Sequence, residues 1–183
     1  MYGMERISEA KAIELLKKHI KSNLVFILIL SHGKAVQKLA LQHAMKIKGV
    51  DIQFIKTASL LHDIGRYKYA PKTKYSYKHA YYGGQILRRE NLPLHARVAE
   101  THIGFGITKA EVIKQKLNIP KKDFMPITKE EKIICYSDKF AKGSKVMTKA
   151  EIKARFSKEI SKGYVKRFDK LGQEIERLKK GKA

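Results

Sequence analysis

The stretch Leu60-Leu61-His62-Asp63-Ile64-Gly65-Arg66 decides how the rest of the 183-residue chain is read. It closes an apolar run that Asp51 caps and that places Phe54, Ile55, Ala58 and Leu61 in helical register. Neighbouring residues on a helix point to different faces. His62 and Asp63 therefore serve one metal only if the helix end points at it, or they serve two metals. Gly65, two residues after Asp63, reads as the stop that lets both side chains reach one cavity.

Outward from this point the chain reads as helix after helix. Upstream, Ser8 caps a helix carrying Ala12, Ile13, Leu15, Leu16 and Ile20. Residues 32–48 put Val36, Leu39, Ala40, His43 and Ala44 on one face, ending before Gly49. Between them, Leu24 to Leu30 is an unbroken apolar run, far short of the roughly 20 residues of a membrane helix. It lacks the flanks of a signal peptide. It reads as a buried helix or strand segment, and the expectation is a soluble, cytoplasmic chain with no membrane partner.

Downstream, residues 67–77 form a polar, tyrosine-rich loop with Pro71, followed by a helix from about 78 to 90 and another from Pro93 to His102. Gly104-Phe105-Gly106 is a break, and 117–127, with Pro120 and Pro126, reads as a linker. Thr128 and Glu131 form a capping box for a helix over 129–140. The tail repeats apolar residues at Ile152, Phe156, Ile160, Tyr164, Phe168, Leu171, Ile175 and Leu178, in steps of four and three. That predicts one long amphipathic helix, with Gly163 as a place to bend or split. No alternating strand and no repeat is present in the pattern, so the class is all-α. The expected organisation is a unit over 1–148 and a basic helical extension over 149–183, packed on the core or on a second subunit of a homodimer.

Composition sets the outer limits. A single cysteine, Cys135, excludes a disulfide framework and an all-cysteine metal site. Forty basic residues against seventeen acidic give a net charge of +23. Such a field attracts nucleotides, nucleic acid or a membrane surface. Lysine-rich, amide-poor surfaces of heat-adapted proteins show the same balance without any partner.

The seven histidines stand at 19, 32, 43, 62, 79, 95 and 102. Together with the His62-Asp63 pair, they make the sequence resemble the HD superfamily of metal-dependent phosphohydrolases in its HDIG form. That family's first ligand is a histidine about thirty residues upstream, and His32 in Ser31-His32-Gly33-Lys34 fits. Its last is an aspartate in a late helix, and Asp138 in Tyr136-Ser137-Asp138-Lys139 fits. Two-metal members carry two further histidines, matched by His79 in Lys78-His79-Ala80-Tyr81 and His102 in Thr101-His102-Ile103-Gly104. The resemblance spans about residues 30–140 and extends to small archaeal HDIG proteins. The chain departs from the pattern in the unusually apolar Val25–Leu30 before the first ligand.

The resemblance implies a helical bundle holding one or two divalent transition-metal ions (Mn, Fe, Co, Ni or Zn). His32, His62, Asp63 and Asp138 would hold one. His79 and His102 would hold a second, with Asp63 bridging. A mixed imidazole and carboxylate set suits these metals, and a bound metal lowers the pKa of water to about 7. The implied reaction is hydrolysis of a phosphoester or phosphoanhydride in a nucleotide-like substrate, with Asp63 and Arg66 as catalytic residues. Arg66, and Lys139 beside Asp138, read either as cations that neutralise phosphate oxygens or as surface residues.

The other histidines are set aside: His43 as core packing, His19 as surface, His95 as out of phase. Glu100 is on another face from His102 and is not assigned as an acid. The tyrosines at 67, 69, 75, 77, 81 and 82, set among lysines, either stack bases or simply pack. Two competing readings remain at this stage. One is a nucleic-acid binder or nuclease using the basic surface. The other is a metal-stabilised module without catalysis.

Overall fold

The computed structural model describes residues 6–143, 145–159 and 162–181. Among these the chain is all-α, with one two-residue antiparallel ladder. The helices are α1 (Glu9–His19), α2 (Asn23–Ala44), α3 (Ile52–Leu61), α4 (Lys78–Arg89), α5 (Pro93–Thr101), α6 (Lys109–Lys114), α7 (Lys129–Phe140), α8 (Lys149–Glu159) and α9 (Lys162–Lys179). Strands β1 (Ala141–Lys142) and β2 (Lys145–Val146) pair between α7 and α8.

Local chemistry sets most of the helix starts. Ser8, Ser22, Asp51, Thr108 and Thr128 each accept a hydrogen bond from a backbone N–H in the first turn of the helix that follows. The expected box at Thr128 is only half made. Glu131 turns its carboxylate to the Ile127 N–H and to Arg97 instead of the Thr128 N–H. Complete boxes occur at Thr108 with Glu111 and at Thr148 with Glu151.

Three expectations about the elements are corrected. The run Leu24 to Leu30 is the start of α2, which begins nine residues before the expected helix at 32. It is not buried as a whole: Leu24 and Leu28 are 68% and 60% exposed, while Ile29 faces the core. By length and composition α2 is apolar enough to cross a membrane. An unbroken-run criterion misses this because Ser31, His32 and Lys34 interrupt the pattern. The buried residues of α2 recur at Ile29, Gly33, Val36, Ala40 and Ala44, a stripe against α3 and α7.

Second, part of the expected linker region is structured. α6 precedes it, and Ile107 pairs with Phe124 by mutual backbone hydrogen bonds.

Third, the tail is two helices folded onto each other. Lys153 pairs with Asp169 at 2.7 Å, and the rings of Phe156 and Phe168 lie 6.5 Å apart. In one straight helix, sixteen and twelve residues would separate these pairs by about 24 and 18 Å. Ile160 of the expected stripe lies outside the described residues.

Among the described residues two large apolar cores result, beside a small cluster of Ile107, Val112 and Phe124. One joins α1 to the first half of α2, α3, α4 and α5 through Leu15, Leu16, Leu60, Leu61 and Leu87. The other joins the second half of α2 to α7, α8 and α9 through Val36, Ile133, Ile152, Phe168 and Ile175. The residues after 148 thus share a core with those before it, and the tail's apolar stripe packs within the chain.

Helix α3 lies between the cores, close to α2. A Cβ at Gly33 would stand 3.1 Å from the Leu60 backbone, tighter than an ordinary contact, so glycine eases this close approach beside His32.

His95, set aside from the sequence, is buried against Phe54. Its Nε2 shares a 2.9 Å hydrogen bond with Thr57 Oγ1. Burial pushes its pKa down to about 4. Burial, and then Lys179, do the same to His43, which packs against Tyr136. Unfolded, both titrate near 6.5. The unfolded chain therefore binds more protons between about pH 4 and 6.5. This stability is fully present above pH 6.5 and is lost as pH falls through 4. His95→Gln keeps a hydrogen-bonding side chain and removes one titrating group. Urea unfolding at pH 6.5 and 4.5 should show a shallower loss of stability for this variant, by up to about 1.4 kcal/mol per pH unit.

Candidate metal centre

Six side chains separated by up to 106 residues converge on one cavity. His32 comes from the middle of α2 and Asp138 from the last turn of α7. His62 is the C-cap of α3, and Asp63 follows it at the start of a 3₁₀ turn, Ile64–Tyr67. His79 sits in the first turn of α4, and His102 is the C-cap of α5. All six expected ligands are therefore brought together.

The reason that Gly65 is required differs from the expectation. It lies inside the 3₁₀ turn, and its φ is not among the positive values. A Cβ there would collide with the carbonyl of His79 and stand 2.8 Å from the Gly83 nitrogen. Glycine here lets the turn that carries His62 and Asp63 lie directly on α4, next to His79.

The histidines are oriented by one repeated device. His62, His79 and His102 each share an Nδ1 hydrogen bond with the carbonyl three residues earlier, in Ser59, Ser76 and Ala99, at 2.7, 2.5 and 2.8 Å. His32 Nδ1 lies 3.2 Å from the carbonyl of Gly143 in the β-hairpin. A carbonyl only accepts, so each Nδ1 carries a proton, and Nε2 is the ring atom turned toward the carboxylates. A carbonyl holding Nδ1 in this way fixes the ring's orientation and leaves Nε2 as the atom that would meet a metal.

The four Nε2 atoms face two carboxylates. His32 Nε2 lies 3.0 Å from Asp138 Oδ1, and His62 Nε2 is 3.5 Å from the same oxygen. Asp63 divides its two oxygens. Oδ1 is 3.1 and 3.2 Å from His79 and His102 Nε2, while Oδ2 is 3.7 and 3.9 Å from His32 and His62 Nε2. The buried Nε2 of His62 has no hydrogen-bond partner. A buried acceptor of this kind is costly unless something occupies it. His32, His62 and Asp138 form one group whose ligand atoms all lie within 4.8 Å of one another. His62, Asp63 and His102 form another.

Cations hold the carboxylates ionised. Burial works against a charged Asp63, but Arg66 and the surrounding imidazoles keep its pKa well below the usual range. Burial likewise opposes a charged Asp138, which Lys139 and His32 hold down. In turn, burial disfavours a charged His32, and Asp138 and Asp63 outweigh it, lifting the pKa to about 9. Burial pushes His102 down to about 4.

Neither flanking cation is a surface residue. Arg66 Nε contacts both oxygens of Asp63, at 3.1 and 3.2 Å, and its Nη1 donates to Ser76 Oγ. Lys139 is buried and donates to Asp138 Oδ2 and to the His102 carbonyl, at 2.6 and 2.7 Å. Glu100, buried outside the group, is paired with Arg88. His19 is bound to Glu90.

The centre opens into a cavity of about 720 Å³. Polar groups line its floor. Val25, Leu28 and Ile29 of α2, Pro71 and Tyr77 of the tyrosine loop, and Phe156 of α8 form apolar walls. Arg155 of α8 adds a third cation to the lining. Sequence reading missed Arg155 and the Gly143 carbonyl. Arg155 stands on α8, whose apolar stripe gave no sign that another face meets the cavity, and a backbone carbonyl leaves no trace in residue type.

The chain belongs to the HD-domain family, whose profile matches residues 29–143. An uncharacterised protein of Methanocaldococcus jannaschii is 36% identical over 180 residues, covering 93% of this chain and 98% of that protein. A tRNA (cytidine(56)-2'-O)-methyltransferase of Picrophilus torridus is 33% identical over 81% of the chain. The corresponding enzyme of Thermoplasma volcanium is 32% identical over 89%. The chain spans less than half of each methyltransferase, 41% and 45%. Among solved structures, the HD domain of the L. monocytogenes phosphodiesterase PgpH in complex with cyclic-di-AMP superposes with a TM-score of 0.52. It is 20% identical and covers 91% of this chain and 95% of that one, a likeness of fold.

Proposed function

We propose that the chain is a metal-dependent phosphohydrolase that cleaves a phosphoester or phosphoanhydride of a nucleotide-like substrate. The observation that carries this reading is the orientation of the four histidines. Each is held by its Nδ1, and the Nε2 atoms and two ionised carboxylates face one cavity.

His32, His62, Asp63 and Asp138 would hold one divalent ion. His79 and His102, with the second oxygen of Asp63, would hold another. The division of Asp63 between the two histidine pairs supports a bridging role. Mn, Fe, Co, Ni or Zn suits this donor set. When bound, such ions polarise a phosphoryl oxygen and make water a nucleophile at neutral pH.

The chain's own groups do the rest. Arg66 positions Asp63 through two contacts and keeps it ionised. Lys139 does the same for Asp138 and ties α7 to the end of α5. Arg66 and Lys139 offset the two carboxylates of the lining, which lowers the repulsion that a phosphate oxyanion would meet. The apolar walls suit an organic group such as a nucleobase and keep bulk water from the reacting bond.

The test uses protein stripped of metal and then resupplied with Mn²⁺, Co²⁺, Ni²⁺, Fe²⁺ or Mg²⁺. Phosphate release is followed on nucleoside phosphates, cyclic nucleotides and dinucleoside polyphosphates. Turnover that requires the metal supports the reading. Tight metal binding with no turnover on any substrate overturns it in favour of a structural metal module. The ion should also protect the fold. At 100 times its Kd it adds about 2.7 kcal/mol, so chelation should lower the melting temperature of the wild-type protein by roughly 5–10 °C.

A second reading places the substrate on RNA. The net charge of +23 and the two tRNA methyltransferase relatives favour it.

A further inference from the structure

The borders of the cavity are more basic than a small substrate requires. Two segments that line it carry no acidic residue. One runs from Ile64 to Arg89, between Asp63 and Glu90. The other runs from Lys139 to Ala150, between Asp138 and Glu151. The first contributes Ala70, Pro71, Ser76 and Tyr77 to the lining, and the second contributes Ala141 and Gly143.

Their lysines point outward. Lys68, Lys72 and Lys74 are exposed on one segment, and Lys142 and Lys145 on the other. None of these five is in an ion pair among the described residues. Instead, Lys68 Nζ stands 4.5 Å from the centre of the Tyr82 ring. Lys74 and Lys78 stand 5.5 and 4.9 Å from the ring of Tyr75, which is 48% exposed.

Inside the cavity, Arg66 and Lys139 are paired with Asp63 and Asp138. The exposed lysines along both segments would suit a longer polyanion. A half-exposed tyrosine ring flanked by two mobile lysine side chains suits a base that stacks on the ring while the lysines move to adjoining phosphates.

We propose that these two segments form a track for a single-stranded RNA, with Tyr75 as a stacking platform and Lys72, Lys74, Lys142 and Lys145 on the backbone phosphates. The track presents a phosphate of the strand to the metal centre. The inference rests on the phosphohydrolase reading only for what happens inside the cavity.

The test is fluorescence anisotropy with a labelled single-stranded RNA of about 12 nucleotides, in the presence of EDTA. Chelation makes binding independent of the metal reaction, so failure of the phosphohydrolase reading leaves this measurement intact. With four phosphates neutralised, log Kd should rise with log salt at a slope of about 3. Lys74→Gln with Tyr75→Ala should weaken binding roughly tenfold and flatten the slope. Both side chains are exposed, so an unchanged melting curve verifies that the fold is intact. The control is Lys166→Gln with Lys170→Gln, two exposed lysines of α9 outside the cavity lining. It should leave Kd within about twofold.

Three results would overturn the track. One is an equal loss in the control, which would indicate attraction by net charge alone. Another is absence of binding at low salt. The third is tighter binding to vesicles of anionic phospholipid than to RNA.

Discussion

Asp63→Asn is expected to abolish metal-dependent phosphate release, by about a thousandfold or more, while the fold survives. The substitution is nearly isosteric, but it replaces an anionic oxygen with an amide that offers no anionic ligand. Oδ1 of Asp63 faces His79 and His102, and Oδ2 faces His32 and His62. One change therefore weakens both halves of the centre. Loss of transition-state stabilisation by the ions is worth several kcal/mol, and about 4 kcal/mol corresponds to a thousandfold in rate. Metal content by mass spectrometry should fall in parallel. Arg66→Met makes the comparison informative. It removes only the cation that positions Asp63, so the metal should be retained with affinity lowered about 10–100-fold, the usual effect of an outer partner. If Asp63→Asn kept full metal content and turnover, the bridging assignment would fail.

Gly65→Ala is expected to be the most destabilising single-methyl addition in the chain. The new Cβ would overlap the His79 carbonyl and stand 2.8 Å from the Gly83 nitrogen, and both neighbours are backbone. No rotamer relieves that contact. Either the 3₁₀ turn or the start of α4 must move. Overpacking of this kind costs about 3 kcal/mol, which for a chain of this size lowers the melting temperature by roughly 10 °C. Because the displaced segments carry Asp63 and His79, metal affinity should fall as well. Gly143→Ala is the counterpart. Its φ is positive, but no atom lies within 4 Å of the added Cβ, so the cost is backbone strain alone, about 1 kcal/mol.

Much of the centre was legible because its chemistry is carried by residue type. The resemblance to the HDIG pattern picked out histidines and aspartates by their order along the chain, whatever the packing. His32, His62, Asp63, His79, His102 and Asp138 could all be named before their distances were known. The helix starts at Ser8, Asp51 and Thr128 were legible because such a cap bonds to a residue three positions away, while the caps Ser22 and Thr108 went unread. Local groups supplied both the signal and the structure. The half-made box at Thr128 marks the limit of that logic. Glu131 had a stronger partner in Arg97, thirty-four residues away in the chain.

What remained hidden depended on which segments lie against each other. The apolar stripe of the tail is continuous in sequence, yet the chain folds back, because Phe156 and Phe168 both bury themselves in the core around Tyr136 and Phe105. Periodicity records which face of a helix is apolar and carries no information on where the helix turns. Lys139 could be read as a surface residue until α5 was seen to end above it.

The order of the six histidine and aspartate residues, the all-α class and the excess of positive charge are properties of the residues taken along the chain. The pairing of Asp63 with two histidines on each side, the burial of Lys139 and the entry of Arg155 into the cavity follow from contacts between distant segments. Only tertiary packing determines these, because the free energy that holds them lies in close contacts and in buried charges that must find partners.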